Sequence, residues 1–374
     1  MKVKFLDLKR QFEIIGDEMN AAIQRVLDSG MYILGDEVQS FESEWATFCE
    51  AGGAVGVACG TDSLTLALKA SGAVREGKGD EVITTTLTAG YSALAIQLAG
   101  GVPVFADIHP TDYTIDPQAI EDLITPRTRA ILPVHIHGRM ADMPSICYLA
   151  EKHGLIVVED GSQAHGARLN GKSLGSYGVA AGFNLYPTKN LGGFGDGGAL
   201  IAHDPAIIKK AKSLRQGGHL EALQWPETGI NSRLDEMQAA ILRVKLRHLA
   251  AWTQRRREIA EIYNRSLTDL PQLRVPELRD PESHVFHVYA VSHPQRDELR
   301  KHLERHGIET LIHFTYLLHE QPHFSASGRA SLPVAEKVRE TILSLPLHPW
   351  MRTDEIDYVV EVMHHFDPAS SVGR

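Results

Sequence analysis

Between residues 55 and 203, short apolar runs alternate with helical stretches, and this alternation restricts the possible folds more than any other feature of the chain. Apolar strands joined by helices predict a parallel sheet that is covered by helices on both faces. The predicted strands cover residues 55–58, 81–86, 102–108, 129–135, 155–160, 180–186 and 197–203. We therefore predict an α/β fold with a mostly parallel seven-stranded sheet.

A chain of 374 residues is longer than one ordinary domain core. We predict a large domain over residues 1–245 and a small α+β domain over residues 246–374, with the N-terminal helix as a candidate to pack against the small domain. Outside the sheet region the predicted elements are helices over 8–29, 37–49, 232–267 and 295–306, further helices near Val334 and Glu355, and a strand over 284–291. The run Arg255–Arg257 is interpreted as a solvated helix face.

Composition and charge favour a cytoplasmic enzyme over several other classes of protein. The net charge of −9 argues against a nucleic-acid partner, because such partners are held largely through their phosphates. The cysteines Cys49, Cys59 and Cys147 have no C-x-x-C spacing, and the histidines are dispersed, so we expect neither disulfides nor a metal site. We also expect no signal peptide and no membrane-spanning segment.

Three short segments at the ends of predicted strands contain candidate binding or catalytic residues. The first is Gly60-Thr61, which follows a strand and opens a helix. Free N–H groups and the positive dipole end make a helix N-terminus a good phosphate site. The alternative is an ordinary N-cap formed by Thr61 or Asp62.

The other two pieces are Asp160, at the end of an apolar strand, and Lys189, between an apolar run and a glycine-rich tail. A semi-buried carboxylate needs a partner such as a protonated pyridine nitrogen, and a lysine in a close-fitting loop can form a Schiff base. The alternatives are a helix cap or salt bridge for Asp160 and a surface role for Lys189. Together the three pieces are what pyridoxal phosphate (PLP) requires, in the order found in fold-type I PLP enzymes.

The chain resembles the DegT/DnrJ/EryC1/StrS family of sugar aminotransferases. The resemblance runs from residue 5 to about residue 349 in family order. It is carried by FLDLKRQ, GMYILG, GTDSLTLAL, PVFADI, PVHIHGRMADM, EDGSQAHGA, FNLYPTKNLGGFGDGGAL, NSRLDEMQAAIL and LSLPLHP. It implies a fold-type I PLP-dependent transferase, working as a homodimer with shared active sites.

The resemblance also implies a role for each residue that matches a family motif. Lys189 would bind PLP as a Schiff base and move protons during transamination, Asp160 would keep the pyridine nitrogen protonated, and Gln163 would hydrogen-bond near the ring hydroxyl. The phosphate would be bound by Gly60 and Thr61. Asn184, which stands where the family often has serine, can contact the phosphate through its amide.

Further roles concern the partner subunit and the sugar. Asn231 and Arg233 would reach in from the partner, where Arg233 is also a candidate substrate residue, and Tyr32 and His313 would line the sugar pocket. The family often stacks an aromatic residue on the ring; here Leu87 stands at that position and would cover the ring, while Tyr91 is a candidate to compensate beside the substrate.

The implied reaction is transamination of a nucleotide-linked keto sugar for amino-sugar biosynthesis. L-glutamate or glutamine would donate the amine, with pyridoxamine phosphate formed between the two half-reactions. The Q-A-H-G-A stretch after Asp160 favours a 3-keto-6-deoxy sugar, with a 4-keto sugar as the alternative.

Three other hypotheses are weaker. A sugar dehydratase relative replaces the lysine by histidine, whereas Lys189 is present. A regulatory relative without catalysis does not need Lys189 and Asp160. An amino-acid transaminase of the same fold type usually needs an arginine in the small domain for the substrate carboxylate.

Overall fold

The computed structural model is centred on a seven-stranded sheet and describes residues 1–218, 227–277, 280–324 and 331–367. Its strands are β1 (Gly53–Val57), β2 (Glu81–Thr85), β3 (Val102–Ala106), β4 (Thr128–Leu132), β5 (Ile156–Asp160), β6 (Arg168–Leu169), β7 (Lys172–Ser173), β8 (Ala180–Asn184), β9 (Gly198–Ala202), β10 (Tyr289–Ser292) and β11 (Ile342–Leu345). The large sheet has the order β1-β9-β8-β5-β4-β2-β3, while β6 with β7 and β10 with β11 form two small sheets.

Pairing in the large sheet is parallel from β3 through β2, β4 and β5 to β8. Among the seven strands of this sheet, only β9 runs antiparallel to its neighbours, β1 and β8. The predicted mostly parallel seven-stranded sheet is therefore confirmed.

The helices that flank and follow the sheet are α1 (Leu8–Ser29), α2 (Asp36–Phe48), α3 (Gly60–Ala70), α4 (Tyr91–Leu98), α5 (Pro117–Glu121), α6 (Met143–His153), α7 (Pro205–Leu214), α8 (Glu236–Leu267), α9 (Arg296–Arg305), α10 (Pro333–Thr341) and α11 (Thr353–His364). The described part of the chain has no helix with the length and apolar character needed to cross a membrane. The long helix predicted from residue 232 begins four residues later. Ser232 is held instead in an irregular segment, because its N–H donates to Arg215 O and its hydroxyl bonds Ala58 N.

Both faces of the sheet are buried, as the apolar strands predict. Neighbouring residues of a strand point to opposite faces. Ile83 accordingly belongs to the hydrophobic cluster on one face, together with Phe183, whereas Val82 belongs to the cluster on the other face, together with Leu200. The sheet is thus a rigid middle layer whose strand ends can hold side chains in fixed positions.

The long helix α8 contributes to two cores. Leu249 lies in the core beneath the sheet, whereas Ile259 and Tyr263 lie in a C-terminal core with β10, β11, α9 and α11. The domain boundary at residue 245 stays a prediction. Helix α1 packs on the first half of α8, and near its N-terminal end Arg10 bonds Glu355 in α11.

The strand predicted over residues 284–291 is shorter than expected and begins at Tyr289. Residues 285–288 instead dock on the turn that follows β4. Val285 N donates to Gly138 O, and Val288 N donates to His137 O. These backbone groups have partners outside any sheet, so the apolar pattern of the segment reflects burial rather than strand pairing.

The interpretation of Arg255–Arg257 as a solvated face is wrong for Arg256, which is 3% exposed. Its guanidinium donates to the carbonyl oxygens of Phe286 and Leu347. Burial lowers the pKa of Arg256 to about 9. A charged side chain in the middle of a polar run therefore ties α8 to the C-terminal core.

The start of α2 depends on a side chain from α8. Gly35, the N-cap of α2, offers no side chain, and the buried carboxylate of Glu236 accepts hydrogen bonds from Glu37 N at 2.8 Å and Val38 N at 2.9 Å. A carboxylate at a helix N-terminus is favoured both by these bonds and by the helix dipole.

We predict that Glu236→Ala lowers the free energy of unfolding by about 2–4 kcal/mol, because two buried N–H groups lose a charged acceptor. Glu236→Gln keeps one acceptor oxygen and should lose roughly half as much. Thermal and urea unfolding of the two variants beside the parent measure this. An alanine variant as stable as the parent would show that the cap contributes nothing.

Candidate active site

The carboxyl ends of β5 and β8 lie beside the N-terminus of α3. The two strands run parallel and in register, so Asp160 and Asn184, at their ends, fall on the same edge of the sheet. A Cβ on Gly60 would lie 2.5 Å from the Cβ of Asn184. Only glycine fits at the first position of α3, and the close approach brings three of the predicted site residues together.

The N-terminus of α3 is open. Its N-cap, Cys59, makes no side-chain capping bond, so the ordinary cap by Thr61 or Asp62 that we considered is not formed. Ser63 N donates to Cys59 O, which leaves the N–H groups of Gly60, Thr61 and Asp62 outside the helical ladder. An eleven-residue helix with three such groups is suited to an anion.

The segment that carries Asn231 and Arg233 is fixed beside this helix end. Between them, Ser232 donates its hydroxyl to Asp62 Oδ2 at 2.6 Å and accepts from Ala58 N at 2.9 Å. Asn231 is exposed and Arg233 is half-buried. Their predicted contribution to the site of a partner subunit stays a prediction.

Asp160 is 3% exposed and is held by two donors. Ser92 Oγ donates to Oδ2 at 2.7 Å, and Ser162 N donates to Oδ1 at 3.0 Å. Each oxygen keeps a second lone pair for a further donor. No local pattern in the sequence marks Ser92, because a serine in the first turn of a helix is common.

Lys189 lies half-buried in the loop between β8 and β9. Burial lowers the pKa of its amine from 10.5 to about 8, and the nearby charge of Asp160 opposes part of that shift. A lysine with this pKa has a larger neutral fraction near pH 7 than a solvated one. The lowered pKa distinguishes Lys189 from a solvated surface lysine, which was the alternative interpretation.

The glycine-rich tail after Lys189 folds tightly against α8. A Cβ on Gly192 would lie 2.5 Å from Tyr186 O, so a side chain there cannot be accommodated. Two side chains of α8 clamp the tail: Gln238 Oε1 accepts from Phe194 N at 2.7 Å, and the buried Lys245 donates to Gly192 O at 2.6 Å. The glycines therefore serve the close packing of the loop that presents Lys189.

Three histidines surround Lys189, and burial keeps all of them neutral. Together with the positive charge of Lys189, burial lowers the pKa of His165 to about 3, the pKa of His313 to about 4, and the pKa of His287 well below its usual value. His287 also contacts Asn190, the neighbour of Lys189, at 3.3 Å. Our sequence interpretation missed His287, because it enters the site from a distant, irregular segment.

Gln163 is 6% exposed, and its side-chain oxygen accepts from His137 N at 2.6 Å. That bond assigns the amide orientation, since the N–H₂ group must then face the other way. A donor is thus available on the side away from His137, and the role expected of Gln163 stays a prediction.

Among the predicted substrate residues, only His313 interacts with Lys189 within the described part of one chain. Tyr32 is 53% exposed and Tyr91 is 61% exposed. The backbone of Tyr32 is nevertheless fixed, because its carbonyl accepts from Glu236 N. The substrate roles of Tyr32, Tyr91 and Arg233 stay predictions.

Leu87, the residue that we expect to cover the ring, lies in the protein interior. Its side chain is fully buried in a hydrophobic cluster with Phe105, Val134 and Leu317. Its role as a cover over a cofactor ring stays a prediction. The partly exposed residues at this strand end are Ala89 and Gly90, which follow it.

Arg215 is buried and pairs with Glu42 and with Gly56 O. Its role in the structure is that of a buried ion pair. His219, which follows Gly217 and Gly218, lies outside the described residues.

Comparison with known proteins agrees with this geometry. The family model of the DegT/DnrJ/EryC1/StrS aminotransferase family matches residues 13–364. The chain is 44% identical to the dTDP-3-amino-3,4,6-trideoxy-alpha-D-glucose transaminase of Streptomyces venezuelae, over 98% of this chain and 96% of that protein.

Solved structures show the same architecture. DesV of S. venezuelae, in complex with a ketimine intermediate, superposes with a TM-score of 0.93 at 43% identity, over 98% of this chain and all of that one. NtdA of Bacillus subtilis, with bound cofactor PMP, gives 0.89 at 29% identity, over 97% of this chain and 85% of that one. The fold is that of fold-type I PLP enzymes, as expected. Because the family match spans nearly the whole chain and the S. venezuelae transaminase is similar over almost its full length, the protein belongs to the DegT/DnrJ/EryC1/StrS aminotransferase family and is an aminotransferase.

Proposed function

We propose that this aminotransferase uses PLP to move an amino group from L-glutamate or glutamine to a keto sugar linked to a nucleotide. The observation that carries the proposal is the pairing of Lys189, with its pKa lowered to about 8, and the buried carboxylate of Asp160. The S. venezuelae relative, a transaminase of a dTDP-linked amino sugar, supports the substrate class.

The residues present fit PLP at three points. Lys189 supplies an amine of lowered pKa, and Asp160 supplies a buried carboxylate with free lone pairs for a ring N–H. Gly60 and Thr61 supply backbone N–H groups that have no partner within the helix, with Asn184 beside them. PLP would then supply an electron sink and would carry the amino group between the two substrates.

Side chains of the protein carry out the proton transfers and hold the cofactor ring. Lys189 Nζ accepts the proton from the α-carbon of the amino donor and later gives a proton to the sugar carbon that receives the amine. A pKa near the working pH suits both directions of transfer. Asp160 would maintain a positive charge on the ring nitrogen, and Gln163 would donate its amide N–H₂ towards the ring hydroxyl.

We infer a preference for a 3-keto sugar. The Q-A-H-G-A stretch supports it, and so does the 3-amino product in the name of the S. venezuelae relative. A 4-keto sugar is the alternative. The charge of Lys189 contributes to the lowered pKa of His313, so the two side chains lie near each other. His313 is the residue that we place beside the sugar.

We further infer a homodimer whose subunits complete each other's sites. The supporting observation is a set of large apolar side chains on the segments around the site that one chain leaves 39–54% exposed. They are Met31, Tyr32, Ile33, Tyr186 and Phe194. A second chain would cover them, and Asn231 and Arg233 would then be available to the partner's phosphate.

The first test is the absorption spectrum of the PLP-loaded protein before and after excess L-glutamate. We expect a visible band that gives way to a shorter-wavelength band in the parent, and no visible lysine-bound band in Lys189→Ala. Lys152→Ala, which removes an exposed lysine paired with Glu121, is the matched control and should behave as the parent does. A parent that shows no band after PLP is supplied would refute the proposal.

The pH dependence of cofactor capture follows from the pKa of Lys189. Only the neutral amine attacks a carbonyl, so the rate at which the cofactor-free protein takes up PLP should rise with pH around a midpoint near 8. Asp160→Asn removes the charge that stabilises the ammonium form, so its midpoint should lie lower. Stopped-flow absorbance measures both profiles, and an upward shift in the variant would contradict the assigned cause.

The sugar carbon that receives the amine can be identified from the reverse reaction, in which sugar amines and 2-oxoglutarate are the substrates. We expect dTDP-linked 3-amino-6-deoxy sugars to react at least about tenfold faster than their 4-amino isomers, the ratio that corresponds to a difference of about 1.4 kcal/mol in transition-state binding. Coupled detection of glutamate gives the rates. A faster 4-amino isomer would decide for the alternative substrate.

A further inference from the structure

His137 lies in the turn after β4, 3% exposed, and makes three hydrogen bonds to three distant segments. Its backbone N–H donates to Gln163 Oε1 at 2.6 Å, and its carbonyl accepts from Val288 N at 3.1 Å. Its ring atom Nε2 lies 3.2 Å from His313 O. One residue thus connects the cofactor side of the site, the segment before β10, and the sugar side.

The backbone of His137 is held in an unfavourable conformation. Its φ of 59° lies in the left-handed region, which residues with a Cβ seldom adopt. In this conformation its N–H, carbonyl and ring all reach partners. The three bonds provide the compensation that such a conformation requires.

The chemistry of the ring contact fixes the tautomer. A carbonyl oxygen can only accept, so Nε2 carries the proton and donates it to His313 O. Burial, with smaller contributions from neighbouring charges, lowers the pKa of His137 to about 3, so the ring stays neutral at physiological pH. The bond is therefore present throughout the working range of the enzyme.

His313 has little freedom once this bond is made. Its carbonyl is held by His137, and its ring atom Nδ1 contacts the buried Ser344 hydroxyl in β11 at 2.8 Å. Its direct neighbours on the chain, Ile312 and Phe314, are half-buried and pack against a hydrophobic cluster, and Leu311 exchanges two backbone hydrogen bonds with Ser344. Within this segment, His137 holds the carbonyl of His313 and Ser344 holds its ring.

We propose that His137 is a positioning residue for the sugar half-reaction, which holds His313 at a set distance from Gln163 and Lys189. The inference rests on the proposed function. Loss of the ring donor would free the carbonyl of His313 and let this residue shift, while leaving Asp160, Lys189 and the N-terminus of α3 as they are. Binding of the sugar should then weaken, and reaction with the amino acid should not.

Two substitutions distinguish the effect of losing the hydrogen-bond donor from the effect of changing the shape of the ring. His137→Phe keeps a planar ring and removes the donor, whereas His137→Gln places an amide N–H close to the position of Nε2 and restores a donor. Both keep the backbone bonds of residue 137. The glutamine variant is the matched control for any general disturbance of the turn.

The kinetic test uses one starting form of the enzyme and two amine substrates. L-glutamate and dTDP-3-amino-3,4,6-trideoxy-alpha-D-glucose each convert the PLP-loaded protein, and stopped-flow absorbance follows both. For His137→Phe we expect the KM of the amino sugar to rise about tenfold, the ratio given by one hydrogen bond, while the KM of L-glutamate stays within about twofold. His137→Gln should return both values to near those of the parent.

A second measurement needs neither substrate nor cofactor. Amide hydrogen exchange of the cofactor-free protein should be faster over residues 311–317 in His137→Phe than in the parent, and unchanged in His137→Gln. Equal loss for both amine substrates, or a glutamine variant as impaired as the phenylalanine variant, would overturn the proposal. If the parent fails to react with L-glutamate, the proposed function falls, and the exchange result alone decides whether His137 holds the loop.

Discussion

The burial of one amine beside one carboxylate is the interaction on which the site depends. Burial disfavours the charged form of Lys189 and lowers the pKa of its amine. The charge of Asp160 opposes part of this shift, and the resulting pKa is about 8. Ser92 and Ser162 fix the carboxylate. The lysine loop can only reach this position because glycine at 192 lets the chain fold back on itself.

Helix α8 connects helix α2, the lysine loop and the C-terminal core. In its first turn Glu236 caps α2 and Gln238 bonds the lysine loop, two turns later Lys245 bonds the same loop, and in its second half Arg256 bonds two carbonyls of the C-terminal core. Four polar side chains on one helix thus relate the lysine to both cores. Glu236, Lys245 and Arg256 are buried, and burial requires the hydrogen-bonded partners that each finds in backbone groups of other segments.

Much of this architecture could be predicted from sequence. Apolar strands that alternate with helices specify a covered parallel sheet, and polar residues at strand ends, such as Asp160, then have to share one edge. What could not be predicted depends on contacts between distant segments. His287 approaches Lys189 from an irregular stretch, Arg256 is buried within a polar run, and the interior position of Leu87 depends on neighbours from several distant segments.

Tyr32 illustrates how such a scaffold can acquire new specificities in evolution. Its carbonyl accepts from Glu236 N, and the adjoining Ile33 bridges to Asp235, so the backbone there is tied to α8 while the tyrosine ring remains largely in solvent. Exchange of that side chain would leave the anchoring bonds intact. With Tyr32 in its predicted place beside the sugar, descendants of one ancestor could diverge in the sugars that they accept without first losing thermodynamic stability.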